Sequence, residues 1–208
     1  MMDFAPRLVK HAGVDGAAGA QHLGRKMAQR ERRSEKERGP AAQDPLAPES
    51  GRVPARLVTV DRAGPELDAV RDLFLEYAES LAFNTCFGGL DEELAVLPQN
   101  YVLPDGCLLL ARKGSNAAGC VGVRRVDAAS CEMKRLYVRP GFRRAGLGRA
   151  LTVAVIDCAR RLGYRRICLE TLPTMLEARS LYASLGFTAC APYYDSCALG
   201  RDCFELVL

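Results

Sequence analysis

Apolar positions fall into helical and strand-like periods from about Arg56 to the end of this chain. RLVTV (56–60) is a short β-branched run. Pro65 then opens a helical pattern with Leu67, Val70, Leu73, Phe74, Tyr77 and Leu81 on one face. DEELAVL (91–97) predicts a second, short helix. GCLLLAR (106–112) and AAGCVGVRRV (117–126) read as strands, and KGSNA between them as the turn of a β-hairpin. CEMKRLYV (131–138) predicts a third strand of this kind, stopped by Pro140 and Gly141. In the next helix Leu147, Ala150, Leu151, Ala154, Val155, Cys158 and Leu162 share a face, and Gly163 ends it. RRICLET (165–171) is a strand, MLEARSLYASL (175–185) a helix closed by Gly186, and FTAC (187–190) and CFELVL (203–208) are final strands.

The order is therefore β, α, α, β, β, β, α, β, α, β, β. It predicts an α/β (α+β) domain with a mixed sheet and one parallel crossover, between the strand ending at Val138 and the strand at 165–171. Residues 1–55 form a separate region. GVDGAAGA, the charged run RKMAQRERRSEKER and the Pro-rich GPAAQDPLAPES hold few large apolar residues. Such a segment buries too little surface to offset its ordering entropy, so 1–55 is expected to be a disordered extension and 56–208 the folded domain.

Composition narrows the class. Hydrophobic residues make up 49% and charged residues 26%, as in soluble globular proteins. No stretch reaches the roughly 18 uninterrupted apolar residues of a membrane helix, and Met1 to Lys10 does not read as a secretory leader. The expected compartment is the cytoplasm, with no membrane partner. Nine cysteines, none in CxxC spacing and far from His11 and His22, read as small core residues rather than metal ligands. The net charge is +4. Residues 1–55 hold ten basic and seven acidic residues, so most of the excess lies there. Acidic residues interrupt its basic run, and nucleic acid is set aside as a partner.

The chemistry concentrates where the crossover begins, in VRPGFRRAGLGRAL. Arg143, Gly146 and Gly148 fit Arg/Gln-x-x-Gly-x-Gly. A strand feeds a tight loop, and the loop opens a helix whose first N–H groups lack internal partners. Those groups and the helix dipole favour an anion such as a pyrophosphate, and the glycines leave its approach clear. No Gly-Lys-Ser/Thr supports a P-loop, and a lone Gly-x-Gly does not make a Rossmann fingerprint.

KRLYVRPGFRRAGLGRAL (134–151) and the distant LYASLGF (181–187) strongly resemble the coenzyme A-binding core of the GNAT superfamily of N-acetyltransferases. The resemblance fades outward over about 56–208 and does not cover 1–55. It implies a mostly antiparallel sheet of six to seven strands, about four helices, and one splayed parallel pair that binds CoA. It implies acetyl-CoA as donor and an amine, in a small molecule or a lysine side chain, as acceptor by direct attack in a ternary complex. A non-catalytic acyl-CoA sensor is the alternative. Many relatives form dimers, which makes a homodimer an expectation of the same kind.

By the same resemblance, Leu136, Tyr137 and Val138 would meet the pantetheine arm, with the free backbone groups of Leu136 and Val138 pairing to it. The loop Arg143, Arg144, Ala145, Gly146, Leu147, Gly148, with Arg149, would hold the pyrophosphate. Tyr182 matches the tyrosine that protonates the departing thiolate, and a phenol is neutral at pH 7. Glu132 is the candidate general base, because an amine must lose a proton to a group within reach; the other reading is that it only pairs with a cation such as Lys134 or Arg135. Glu170 is the second candidate. Period-two alternation places Glu132, Lys134, Leu136 and Val138 on one side of their strand. A backbone N–H near Leu136 would stabilise the oxyanion. Many relatives carry Asn seven residues before the tyrosine, where this chain has Met175. Phe83, Phe87, Tyr193 and Tyr194 could line an acceptor slot, and Asp91, Glu92, Glu93 and Asp195 could attract a cation. The other reading is an ordinary amphipathic loop whose acids cap a helix, so the sequence leaves the acceptor open.

Overall fold

The computed structural model describes residues 55–81, 89–193 and 200–208; the expectations for 1–54, Phe83, Phe87, Tyr194 and Asp195 lie outside these. The strands are β1 (Arg56–Thr59), β2 (Cys107–Lys113), β3 (Asn116–Arg125), β4 (Ser130–Val138), β5 (Arg166–Thr171), β6 (Thr188–Ala189) and β7 (Asp202–Val207). The helices are α1 (Pro65–Ser80), α2 (Leu90–Ala95), α3 (Leu147–Arg161) and α4 (Leu176–Ser184). The elements follow the order that the sequence periods predict.

The seven strands form one sheet in the order β1-β2-β3-β4-β5-β7-β6. Every pairing is antiparallel except β4 with β5, which is parallel. α3 makes that crossover. Gly146 starts it in the left-handed region, at φ 79°, and Gly163 follows it at φ 84°. Only glycine adopts such angles without a Cβ penalty.

The sheet has a hydrophobic cluster on each face. On one face α3 seats Leu147, Leu151, Val155, Ile156 and Ala159 against Val121, Val123, Cys131, Met133, Ile167 and Leu169. On the other, α1 seats Leu67, Val70, Leu73 and Phe74 against Leu108, Leu110, Cys120 and Tyr137. Burying a side chain of this size stabilises by about 1.5–3 kcal/mol.

One helical face differs from its expectation. Ala150 is exposed, while Thr152, Ile156 and Ala159 are buried. The buried arc of α3 is displaced toward those residues. Thr152 pays no burial penalty there because its hydroxyl donates to the Gly148 carbonyl at 2.8 Å. Of the described cysteines, six are buried and Cys190 is half-buried; all are free thiols.

Candidate active site

The alternation expected along β4 does not hold. Gly122 of β3 stands opposite Lys134, and Cys120 opposite Tyr137, so Val121 faces both Arg135 and Leu136. This is a β-bulge, and Arg135 takes it in the left-handed region at φ 59°. The extra residue exchanges the faces. Before it, Cys131 and Met133 point toward α3; after it, Leu136 and Val138 do. Glu132 and Lys134 thus lie on the opposite face from Leu136 and Val138, the face on which α1 also packs.

Polar groups hold the bulge in place. Arg135 Nη2 donates to Glu93 Oε2 at 2.5 Å, and Nε donates to Oε1 at 3.3 Å. Tyr101 donates its hydroxyl to the same carboxylate. The guanidinium also lies 5.8 Å from the Phe74 ring centroid. Glu93 is therefore a buried structural acid, not the surface attractor of cations expected from sequence. Burial pushes its carboxyl up, but Arg135 and Tyr101 outweigh that and hold it below its ordinary value.

Beyond the pairs Ser130–Arg166, Cys131–Ile167 and Glu132–Cys168, β4 leaves β5. β5 continues pairing with β7 through Thr171. A wedge-shaped gap opens between the two parallel strands. The Arg139 N–H donates to Ala118 of β3. In an antiparallel ladder alternate residues face the partner, so Tyr137 turns its backbone groups toward β3. Leu136 and Val138 turn theirs into the gap. The Val138 carbonyl already accepts Arg143 Nε at 2.8 Å. Tyr137 instead packs its ring on Tyr77, 5.6 Å away, and beneath Arg143 at 5.9 Å.

The gap ends at the N-terminus of α3, which carries no side-chain cap. Arg144, at φ 62°, and Gly146 bend the loop so that the first N–H groups of the helix stay open. Arg149 ties this turn to α4 by donating to Ser184 Oγ at 2.9 Å. Arg144 reaches Glu177 only at 3.8 Å, across an exposed surface. A Cβ at Gly148 would meet nothing closer than Leu181 Cδ2 at 3.8 Å. No protein atom therefore demands glycine there, and the space suits a ligand that passes close to the backbone. Gly148→Ala is expected to leave thermal stability unchanged while weakening about tenfold the binding of a phosphate-bearing ligand at this turn, through crowding worth about 1–3 kcal/mol. Calorimetric titration beside a melting curve checks both. Gly146→Ala should instead destabilise the fold by about 1–2 kcal/mol, the usual penalty of a left-handed residue with a Cβ.

Tyr182 sits on α4, 5% exposed, with its ring 5.7 Å from Phe187. Burial first, and the nearby Tyr77 second, push its phenol well above the usual tyrosine range. Met175 precedes α4, and its sulfur accepts the Thr171 hydroxyl at 3.6 Å.

Glu132 lies under the opposite face, 1% exposed. Arg124 Nε donates to its Oε2 at 2.9 Å, Lys134 Nζ to its Oε1 at 3.4 Å and the Tyr193 hydroxyl to its Oε1 at 3.1 Å. Burial, then Glu132 and Glu170, push the Tyr193 phenol far up, so it remains a donor. Glu170, on the same face of β5, accepts Arg201 at 2.5 Å. Beside these groups is a pocket of about 420 Å³, lined by Arg166, Cys168, Cys190, Ala191, Pro192, Tyr193 and Glu205. Arg124 and Arg201 were not among the residues singled out from sequence, and Tyr77 was read only as part of an apolar helix face. Only the register, which sets Arg124 opposite Glu132, shows the first of them.

A strand pair that splays onto an open, glycine-lined helix N-terminus suits an extended ligand that ends in a phosphate group. The comparisons agree. The model of the Acetyltransferase (GNAT) family matches residues 67–187. An uncharacterized N-acetyltransferase of Schizosaccharomyces pombe is 40% identical over 133 residues, which are 63% of this chain and 82% of that protein. The crystal structure of an acetyltransferase from Streptococcus agalactiae shares the fold with a TM-score of 0.62 at 17% identity, over 74% of this chain and 98% of that one. A GNAT family acetyltransferase from Elizabethkingia anophelis with acetyl-CoA bound gives a TM-score of 0.52 at 19% identity, over 74% of this chain and 98% of that one. The chain belongs to the GNAT acetyltransferase family. It is an acetyl-CoA-dependent N-acetyltransferase whose acceptor is not identified.

Proposed function

We propose that the gap between β4 and β5 binds the pantetheine arm of acetyl-CoA and that α3 holds its pyrophosphate. Leu136 and Val138 would pair with the arm like an added strand. Arg143, Arg144 and Arg149 would surround the phosphates with the N–H groups of Leu147 and Gly148. The early end of the β4–β5 pairing, at Glu132 and Cys168, is the observation that carries this reading.

Acetyl-CoA supplies an acyl group on a good leaving thiolate. The acceptor nitrogen attacks the thioester carbonyl carbon, the C–S bond breaks, and the nitrogen gives up a proton. Glu132 takes that proton through a water or through the Tyr193 hydroxyl, which donates to its carboxylate. Tyr182 gives its proton to the sulfur. The N–H of Leu136 faces the developing oxyanion.

All described cysteines are free thiols, in keeping with a reducing compartment. No helix among the described residues is long and apolar enough to cross a membrane. The cytoplasm is the compartment we propose, with residues 1–55 as an extension to the catalytic domain at 56–208.

The test is release of coenzyme A from acetyl-CoA by the full-length protein across a panel of amines. Turnover supports transfer; tight acetyl-CoA binding without turnover on any amine favours the sensor. Glu132→Gln is expected to lower kcat by about 100-fold with acetyl-CoA affinity unchanged. An unchanged kcat would take the base role away from Glu132.

A further inference from the structure

The ion pairs of Glu132, Glu170 and Glu205, on the α1-side face of the gap, share an asymmetry. In each, the carboxylate lies underneath and the cation on top. The Glu132 side chain is 2% exposed, whereas its partners Arg124 and Lys134 are 28% and 21% exposed. Glu170 is 10% exposed and Arg201 19%. Farther along the same face, Glu205 is 29% exposed and Arg166 40%.

These pairs belong to one surface. Glu132 and Cys168 are partners across β4 and β5, and alternation puts Glu170 on the same side as Cys168. Tyr193 bonds to Glu132 and also feels the charge of Glu170. The two carboxylates therefore flank the point where the strands part, each covered by an arginine, with Lys134 between β3 and the gap. Among the described residues, an arriving molecule meets Lys134, Arg124 and Arg201 before it meets either carboxylate.

This order decides which amines are favoured. Opposite charges 4 Å apart near a protein surface interact by about 4 kcal/mol, and like charges repel to the same extent. Arg124, Lys134 and Arg201 exceed Glu132 and Glu170 by one positive charge and stand outermost, so a simple alkylammonium or a polyamine is disfavoured. An amine that also carries a carboxylate is attracted, since a guanidinium fork suits that group. The same cations disfavour the ammonium form of the bound amine, and so favour the neutral nucleophile. The neighbouring cavity of about 420 Å³ is of the size that holds a small molecule.

We infer that the acceptor is a small amine bearing a carboxylate, an amino-acid-like molecule, with Lys134 and Arg201 holding the carboxylate and the pocket beside Cys168 and Tyr193 taking the rest. This rests on the acetyltransferase reading above.

The experiment uses the full-length protein with saturating acetyl-CoA. The acceptors are amino acids, their carboxamides, the matching decarboxylated amines, spermidine and a lysine peptide. The free acid is expected to exceed its amide and its decarboxylated amine in kcat/KM by about tenfold or more, about 1.4 kcal/mol. That gap should shrink in high salt. Lys134→Gln should raise KM for the acid with little change in kcat, and Lys134→Arg should restore it; a melting curve confirms that each variant folds. Preference for the amide, the decarboxylated amine, spermidine or the lysine peptide overturns the inference and leaves acetyl transfer standing. Acetyl-CoA binding without turnover of any acceptor overturns both.

Discussion

Tyr182→Phe is expected to lower kcat by about 100-fold or more while leaving the Kd for acetyl-CoA unchanged. General acid catalysis by a positioned side chain contributes about 10²–10⁴-fold. The change removes one oxygen and keeps the ring, so the packing against Phe187 remains. Among the described residues the Tyr182 hydroxyl makes no hydrogen bond, and its loss should cost little stability. Burial keeps the phenol protonated well beyond the usual tyrosine range. Wild-type kcat should accordingly show no alkaline fall due to Tyr182 up to about pH 10, the ordinary value for a tyrosine. Steady-state kinetics over pH with both proteins, beside calorimetric binding of acetyl-CoA, checks this. A variant that keeps kcat but loses affinity would assign Tyr182 to packing alone.

Glu93→Ala should be the most destabilising substitution near the site, at about 3–5 kcal/mol, because it leaves the Arg135 guanidinium buried without its counter-charge. Both side chains of the pair are 8% exposed. Arg135 is also the left-handed residue of the bulge, and the bulge sets which backbone groups enter the gap. Acetyl-CoA affinity should therefore fall together with stability. The double variant Glu93→Leu with Arg135→Met should recover most of the stability, since removing both charges costs far less than removing one. Denaturant unfolding of the three proteins measures this.

The pH dependence has a definite sign. The Glu93 carboxyl is held below its ordinary value in the fold. Its stabilisation is complete above the unfolded pKa, about 4.3, and is lost as the pH falls through the lower folded value. Glu93→Ala should thus unfold with a shallower acid limb than the wild type.

Much of the architecture can be read along the chain. The periods place seven strands and four helices in order, and the single parallel crossover follows from the long α3 connection between β4 and β5. The glycine turn before α3 was legible for a local reason. Gly146 and Gly148 act through backbone angle and missing Cβ atoms, which depend on residue type and neighbours in sequence. The helix that carries Tyr182 was legible because α4 is regular with a constant period.

The parts that were misplaced depend on partners distant in sequence. Glu132 and Leu136 seemed to share a face because period two assumes an unbroken strand; the bulge at Arg135 breaks it, and the bulge is held by Glu93, 42 residues earlier. Glu93 looked like a surface acid because α2 is short and polar, yet its carboxylate turns inward to Arg135 and Tyr101. Arg124, Tyr193 and Lys134 meet at Glu132 only once the register of β3 with β4 is set and Tyr193 has come across from beyond β6. The sequence by itself determined the elements, their order and the glycine turn that opens α3, all of which rest on local backbone preferences. Tertiary structure alone decided the face on which each β4 side chain lies and the positive charge exposed around Glu132, because register, bulges and ion pairs are set by contacts between distant segments.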